Sequence, residues 1–188
     1  MLCPMLFQAS RQLTDDHVAL DQLLGQLQTA LHSADVKTTH TLLDLFWAKL
    51  AVHIRSEHLQ LFPTVIERLS ENPSAVSPTL DEALSTIEEL RADHDFFMKE
   101  LARVVVILRI VSLGQKDQPT IDDALNTVRG AMSAVENRLV IHNQLEEKKV
   151  YAWATTILND QEQTELANRI SIQLGNRPAR FSPNEWTT

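Results

Sequence analysis

Two short stretches of this chain repeat one pattern. His53-Ile54-Arg55-Ser56-Glu57 and His142-Asn143-Gln144-Leu145-Glu146 each set a carboxylate four residues after an imidazole. On a helix, positions i and i+4 share a face one turn apart, so both side chains can aim at one cation. Taken alone the motif is weak: with 7 histidines in the chain, about half such a pair is expected by chance. The other five histidines are His17, His32, His40, His58 and His94. Whether any of them joins the repeated pair depends on the elements that carry them.

Four long segments show helical periodicity, separated by a few breakers. The first spans about Asp15 to Leu31, with Thr14 as N-cap and a stripe of Leu20, Leu23, Leu24, Leu27 and Leu31. The second covers roughly Val36 to Leu69, with Pro63 expected to kink it or end it early. Glu71 to Ser77 is the clearest break. Pro78 then opens a third segment at its first helical position, running to about Leu113. After a loop from Gly114 to Pro119, Thr120 caps a fourth segment reaching Leu158, and a short amphipathic stretch, Asp160 to Leu174, follows. Val104 to Val111 is rich in β-branched residues, but a lone strand has nothing to pair with, so it reads as helix. Its wide apolar face calls for a cover, either the C-terminal stretch or a second copy of the chain.

The expected fold is all-α, an up-down-up-down antiparallel four-helix bundle with a short extra C-terminal helix. It divides into an N-terminal arm (1–13), the bundle (14–158) and a C-terminal helix and tail (159–188).

In such a bundle, residues about equally far from a connecting loop lie at one level, because each residue advances about 1.5 Å. His17 and His53 flank a loop near Ala34 at about 17 and 19 residues. His53 and His94 flank the break near Ser74 at about 21 and 19, and His94 and His142 flank the third loop at about 22 and 26. One histidine from each helix therefore falls in one layer, with Glu57 and Glu146 beside two of them. The alternative, hydrogen-bonded histidines scattered over bundle faces, would not align them. Two carboxylates buried in that layer without a cation would be costly.

This arrangement resembles the hemerythrin-like family, also called the HHE cation-binding domain. The resemblance rests on His17, His53 with Glu57, His94, and His142 with Glu146, with Asp16-His17 opening the first helix and Leu61-Phe62-Pro63 after the second pair. It implies a non-haem centre of two iron ions, oxo- or hydroxo-bridged, with Glu57 and Glu146 as bridging carboxylates and the four histidines as terminal ligands. Ferritin-like bundles use Glu-x-x-His instead, and no histidine here has a Glu three residues before it.

One position departs from the oxygen-carrying members, which have His-x3-His on the third helix. Here Met98 follows His94 at i+4. Two octahedral ions offer about twelve positions; four imidazoles, two bridging carboxylates and one bridging oxide fill about ten. Thioether suits hard ferric iron poorly, so Met98 is expected to pack rather than coordinate. The more open centre argues against reversible O2 carriage. It favours reaction with or sensing of O2, peroxide or nitric oxide, or handling of iron. Four His with two Glu also resembles the iron–sulfur-centre repair proteins, which carry an N-terminal cysteine-bearing segment where this chain has only the stub around Cys3. A reading from another class is a metal-free helical interaction bundle.

The remaining residues have plainer expectations. His58 points about 100° from Glu57 and should lie at the surface or behind a ligand. His32 and His40 should be solvated, Asp21 could hydrogen-bond His17, and Cys3 should be inert. Tyr151, little more than a turn beyond Glu146, should pack, with a redox or hydrogen-bonding role as the alternative.

Composition is ordinary for a soluble globule and excludes several other classes. Of 188 residues 44% are hydrophobic and 22% charged, with a net charge of −8 that disfavours nucleic acid and anionic membranes as partners. A single cysteine rules out an internal disulfide framework and fits a reducing cytoplasm, although a disulfide-free periplasmic protein would look the same. Met1 to Phe7 is apolar but lacks a basic region, so it does not read as a signal peptide, and no stretch is apolar enough to span a membrane. The partners expected are a small diatomic ligand or peroxide, with a homodimer as an option.

Overall fold

A computed structural model describes residues 8–72, 78–113 and 117–187. Cys3 and most of the breaks expected at Glu71–Ser77 and Gly114–Pro119 lie outside the described residues. Everything described is helix, turn or coil, with no strand. Four helical rods carry the structure. Rod one is α1 (Gln8–His32). Rod two joins α2 (Val36–Ser56), a π-helical segment (Glu57–Leu61) and α3 (Phe62–Glu71). Rod three is α4 (Leu80–Leu113), and rod four joins α5 (Gln118–Leu145), a second π segment (Glu146–Tyr151) and α6 (Ala152–Ile157). Two shorter helices follow, α7 (Asp160–Leu174) and α8 (Pro183–Thr187).

Several helix ends differ from expectation for local reasons. α1 begins well before Thr14, because Ala9 and Leu13 continue the buried stripe toward the N-terminus. α4 starts at Leu80 rather than Pro78: Thr79 Oγ1 accepts the Glu82 N–H at 3.2 Å, as an N-cap does. α5 starts at Gln118, with Asp117 rather than Thr120 at the N-cap position and Pro119 in the first turn. Pro63 does not end rod two. It sits in the first turn of α3, after a π turn in which the Phe62 N–H reaches back to the Glu57 carbonyl, an i→i+5 bond. The wider turn accommodates a residue that has no N–H and would clash with an i−4 carbonyl. α7 is as the periodicity predicts, opened by an Asn159–Glu162 capping box.

Partner numbers fall along rod four as they rise along α1. Ser10 Oγ donates to the Tyr151 carbonyl, His17 meets Glu147, and Gln28 Nε2 donates to Glu136. α2 lies between α1 and α4, α4 also packs on α5, and α7 lies across α1 and α2. The C-terminal stretch therefore covers the first two rods rather than the β-branched segment of α4, where Val106 and Ile110 each remain 57% exposed.

Two apolar slabs make the core. One contains Leu20, Leu27, Phe46, Leu50, Phe97, Leu101, Val128 and Val135. The other contains Leu13, Leu61, Phe62, Leu90, Val150, Tyr151 and Ile170. Each fully buried Leu or Phe contributes about 1.5–3 kcal/mol, enough together to offset a costly polar layer between the slabs. Every rod crosses that layer once. On α1 it falls between Leu13 and Leu20, and on α4 between Leu90 and Phe97.

Candidate metal centre

The layer holds His17, His53, Glu57, His94, His142 and Glu146, all buried. The spacing argument is met: all six candidates converge. His17 and His53 bring their Nε2 atoms to 3.1 Å of each other, and His94 and His142 bring theirs to 2.9 Å. The carboxylates lie between the two imidazole pairs. Glu57 sets Oε1 3.5 Å from His53 Nε2 and Oε2 3.4 Å from His94 Nε2. Glu146 sets Oε2 3.3 Å from His17 Nε2 and Oε1 3.0 Å from His142 Nε2. Each carboxylate thus offers one oxygen to each pair. Two four-donor groups result, His17–His53–Glu57–Glu146 and Glu57–His94–His142–Glu146, sharing both acids.

The opposite edge of every imidazole is also held. His53 Nδ1 donates to Asp16 at 2.8 Å, His17 Nδ1 to Glu147 at 2.9 Å, and His142 Nδ1 to Asp93 at 3.1 Å. His94 Nδ1 meets His58 Nε2 at 2.9 Å. An ionised carboxylate can only accept, so in the neutral imidazole three of these bonds put the proton on Nδ1 and leave the lone pair on Nε2. That is the tautomer a metal ligand needs. Arg138 in turn clamps Asp93.

The halves of the chain repeat one another here. Asp16 and Asp93 each precede one histidine and bind the histidine of the following rod. His58 and Glu147 each follow one carboxylate and bind an imidazole of the other half. Phe62 stacks on His94 with planes 12° apart, and Tyr151 on His17 with planes 22° apart. Both π segments begin at the carboxylates. In an α-helix residue i+5 is rotated by about 140° from residue i; a π turn, bonded i→i+5, brings it back over the same face.

That turn gives Tyr151 a hydrogen-bonding role beside its packing in the second slab. Its hydroxyl donates to Glu57 Oε1 at 2.8 Å and lies 3.2 Å from His17 Nε2 and 3.5 Å from Glu146 Oε2. α-Helical periodicity hides this residue, and no sequence signal announces the π turn. Asp16, Asp93 and Glu147 were legible only as neighbours of candidate ligands. Asp21 does not bond His17; Glu147 does. His58 supports His94. His32 is exposed, bonded to the Gln28 carbonyl, and His40 is half-buried outside the layer. Met98 packs against the core. A cavity of about 560 Å³ between α1 and rod four is lined by Ser10, Thr14, Glu147, Tyr151 and Ala152 and by none of the six layer residues.

The electrostatics are those of a site built around positive charge. Burial alone would raise Glu146, but His142, His17 and His94 hold it well below the usual carboxylate range. Burial would lower the imidazoles, yet Glu146 and Glu147 raise His17, Glu57 and Asp16 raise His53 strongly, and Glu146 and Asp93 raise His142 to about 9. Burial, reinforced by Glu146 and Glu57, pushes the Tyr151 phenol well up. The donors still leave something unanswered: Glu57 Oε2 and Glu146 Oε1 are buried with no hydrogen-bond partner. Two orphaned carboxylate oxygens facing four convergent Nε2 atoms fit cations held in the layer.

Among the described residues no helix is long and apolar enough to cross a membrane. No curated protein and no solved structure matches the chain. The model of the hemerythrin HHE cation-binding domain matches residues 9–154. That span takes in all four rods through the polar layer and both shared acids, and the chain belongs to the hemerythrin HHE cation-binding family.

Proposed function

We propose that this chain is a non-haem di-iron protein that reacts with or senses O2, peroxide or nitric oxide, or handles iron, rather than carrying O2 reversibly. One observation carries the reading: Glu57 and Glu146 each present one oxygen to both imidazole pairs. A single ion would need only one pair. Two ions spaced by bridging carboxylates account for both.

In this reading His17 and His53 hold one iron and His94 and His142 the other, with the acids shared. The pair of irons would supply redox and small-ligand chemistry. The protein's part is to fix geometry and charge. Asp16, Glu147 and Asp93 hold the proton of each neutral imidazole on Nδ1, so that Nε2 faces the metal, and raise imidazole basicity. The two apolar slabs exclude water from the layer, which strengthens every charge interaction inside it. Met98 in place of a further histidine denies the centre a fifth imidazole, which argues against reversible carriage. The same reading takes the rods as an up-down-up-down antiparallel four-helix bundle, supported by the falling partner numbers between α1 and rod four. The lone cysteine supports a cytoplasmic location.

Metal analysis of the reconstituted full chain with an optical spectrum tests the reading. Two irons per chain and near-ultraviolet oxo-bridge bands are expected. No metal after reconstitution, with an unchanged melting temperature, would end it in favour of a metal-free bundle.

A further inference from the structure

The geometry points to Tyr151 as a seventh protein ligand, its phenolate oxygen bound to the ion between His17 and His53. This rests on the di-iron reading and adds a residue to it. The argument starts from spacing. Neighbouring ligand atoms around an octahedral ion with bonds of about 2.1 Å lie about 3 Å apart. Tyr151 Oη lies 2.8 Å from Glu57 Oε1, 3.2 Å from His17 Nε2 and 3.5 Å from Glu146 Oε2. Those three atoms all belong to one four-donor group. The hydroxyl therefore stands among the donors at donor spacing, not behind them as Asp16 and Glu147 do.

The internal repeat separates ring from hydroxyl. Phe62, placed after Glu57 as Tyr151 is after Glu146, stacks on an imidazole of its own and fills space. Packing thus calls for an aromatic ring at both positions and an oxygen at neither. The oxygen occurs at one of them, aimed inward at Glu57, His17 and Glu146. Phenolate is a hard oxygen ligand suited to ferric iron, unlike the Met98 thioether. On coordination the O–H bond is lost and its proton leaves to solvent, as for other acids bound to a cation.

The consequence is an unequal pair of irons. Of roughly two positions left open by four imidazoles, two bridging acids and a bridging oxide, Tyr151 takes the one on the first ion. The vacancy for an outside ligand then falls on the ion between His94 and His142.

The chain contains one tyrosine, which makes the test clean. The full chain is loaded with two ferrous equivalents, oxidised, and examined by visible absorption and resonance Raman. A broad phenolate-to-ferric charge-transfer band with enhanced tyrosine ring modes is expected. Those modes should shift when the protein is grown on ring-deuterated tyrosine, a measurement that needs no variant. Tyr151→Phe should lose the visible band entirely while keeping two irons and the near-ultraviolet bands. Two irons without tyrosine modes in the wild-type chain would overturn the ligand and leave the di-iron reading standing. A chain that takes up no iron would overturn both.

Discussion

Asp16 takes the Nδ1 proton of His53 at 2.8 Å, across the interface between α1 and α2, although its neighbour in the chain is His17. The bond fixes which nitrogen of His53 is free to bind metal. Partners of this kind typically change metal affinity by about 10–100-fold when removed. Asp16→Asn should therefore weaken metal binding by about that factor, with helicity unchanged. Asp21→Asn, one turn further along α1 and bonded to no imidazole, should leave affinity within about twofold of wild type. Chelator-competition titration at fixed pH reads both. Equal losses in the two variants would show that the effect is charge in general and not the Asp16–His53 bond.

His142 allows a direct count. Its Nε2 is one of the two that converge at 2.9 Å with His94, and its Nδ1 is held by Asp93. His142→Ala should reduce loading from two metals per chain to one or none, because one four-donor group loses an imidazole. Asp93→Asn should keep both metals but bind them more weakly. Elemental analysis after extensive dialysis distinguishes the two outcomes. Retention of two metals by His142→Ala would remove His142 from the ligand set.

The layer itself was legible in the sequence because four long rods with short connections convert residue number into height at about 1.5 Å per residue. His17, His53, His94 and His142 needed only that arithmetic, and Glu57 and Glu146 only the i+4 relation. What surrounds them was not legible, for two physical reasons. Asp16 and Asp93 serve histidines on the next rod, and a sequence shows which residues are adjacent, not which rods face each other. Tyr151 and Phe62 reach the site through π turns, whose i→i+5 register breaks the periodicity on which every inference about helix faces rests. The same turn let Pro63 sit inside a rod that α-helical rules would have kinked or ended there.

The raised imidazoles set the pH dependence of the metal-free protein. His142 is raised from 6.5 to about 9 by Glu146 and Asp93 against the effect of burial. A group whose folded pKa exceeds its unfolded value adds stability that is complete below the unfolded value and is lost as pH rises through the folded one. Glu146 is depressed, so its contribution is present above about pH 4.5 and lost on acidification. The metal-free protein should accordingly melt highest between about pH 4.5 and 6.5 and fall progressively toward pH 9 and beyond. The metal-loaded protein should not show that alkaline fall, because bound metal requires neutral imidazoles and competes with their protons. Calorimetric melting temperatures across pH 4–10, with and without metal, check both curves. Parallel curves would mean that these histidines do not carry the charge at issue.

Met98 lies one turn beyond His94 on the same face of α4 and packs against the core. A histidine there would add a donor on the side of the His94–His142 ion. The consequence depends on how many positions remain open. With Tyr151 coordinated, roughly one vacancy exists, and Met98→His should fill it, slowing azide exchange and autoxidation sharply relative to wild type. Removing the phenol as well reopens one position, now on the His17–His53 ion. The Met98→His/Tyr151→Phe double variant should therefore exchange ligands again and bind O2 reversibly, the behaviour suited to a centre with five imidazoles and one vacancy. Stopped-flow azide binding and oxygenation–deoxygenation cycles on wild type, both single variants and the double variant give the comparison. If Met98→His alone binds O2 reversibly, Tyr151 was not occupying a position. If all four proteins exchange azide at one rate, the count of open positions has no bearing on this centre's chemistry.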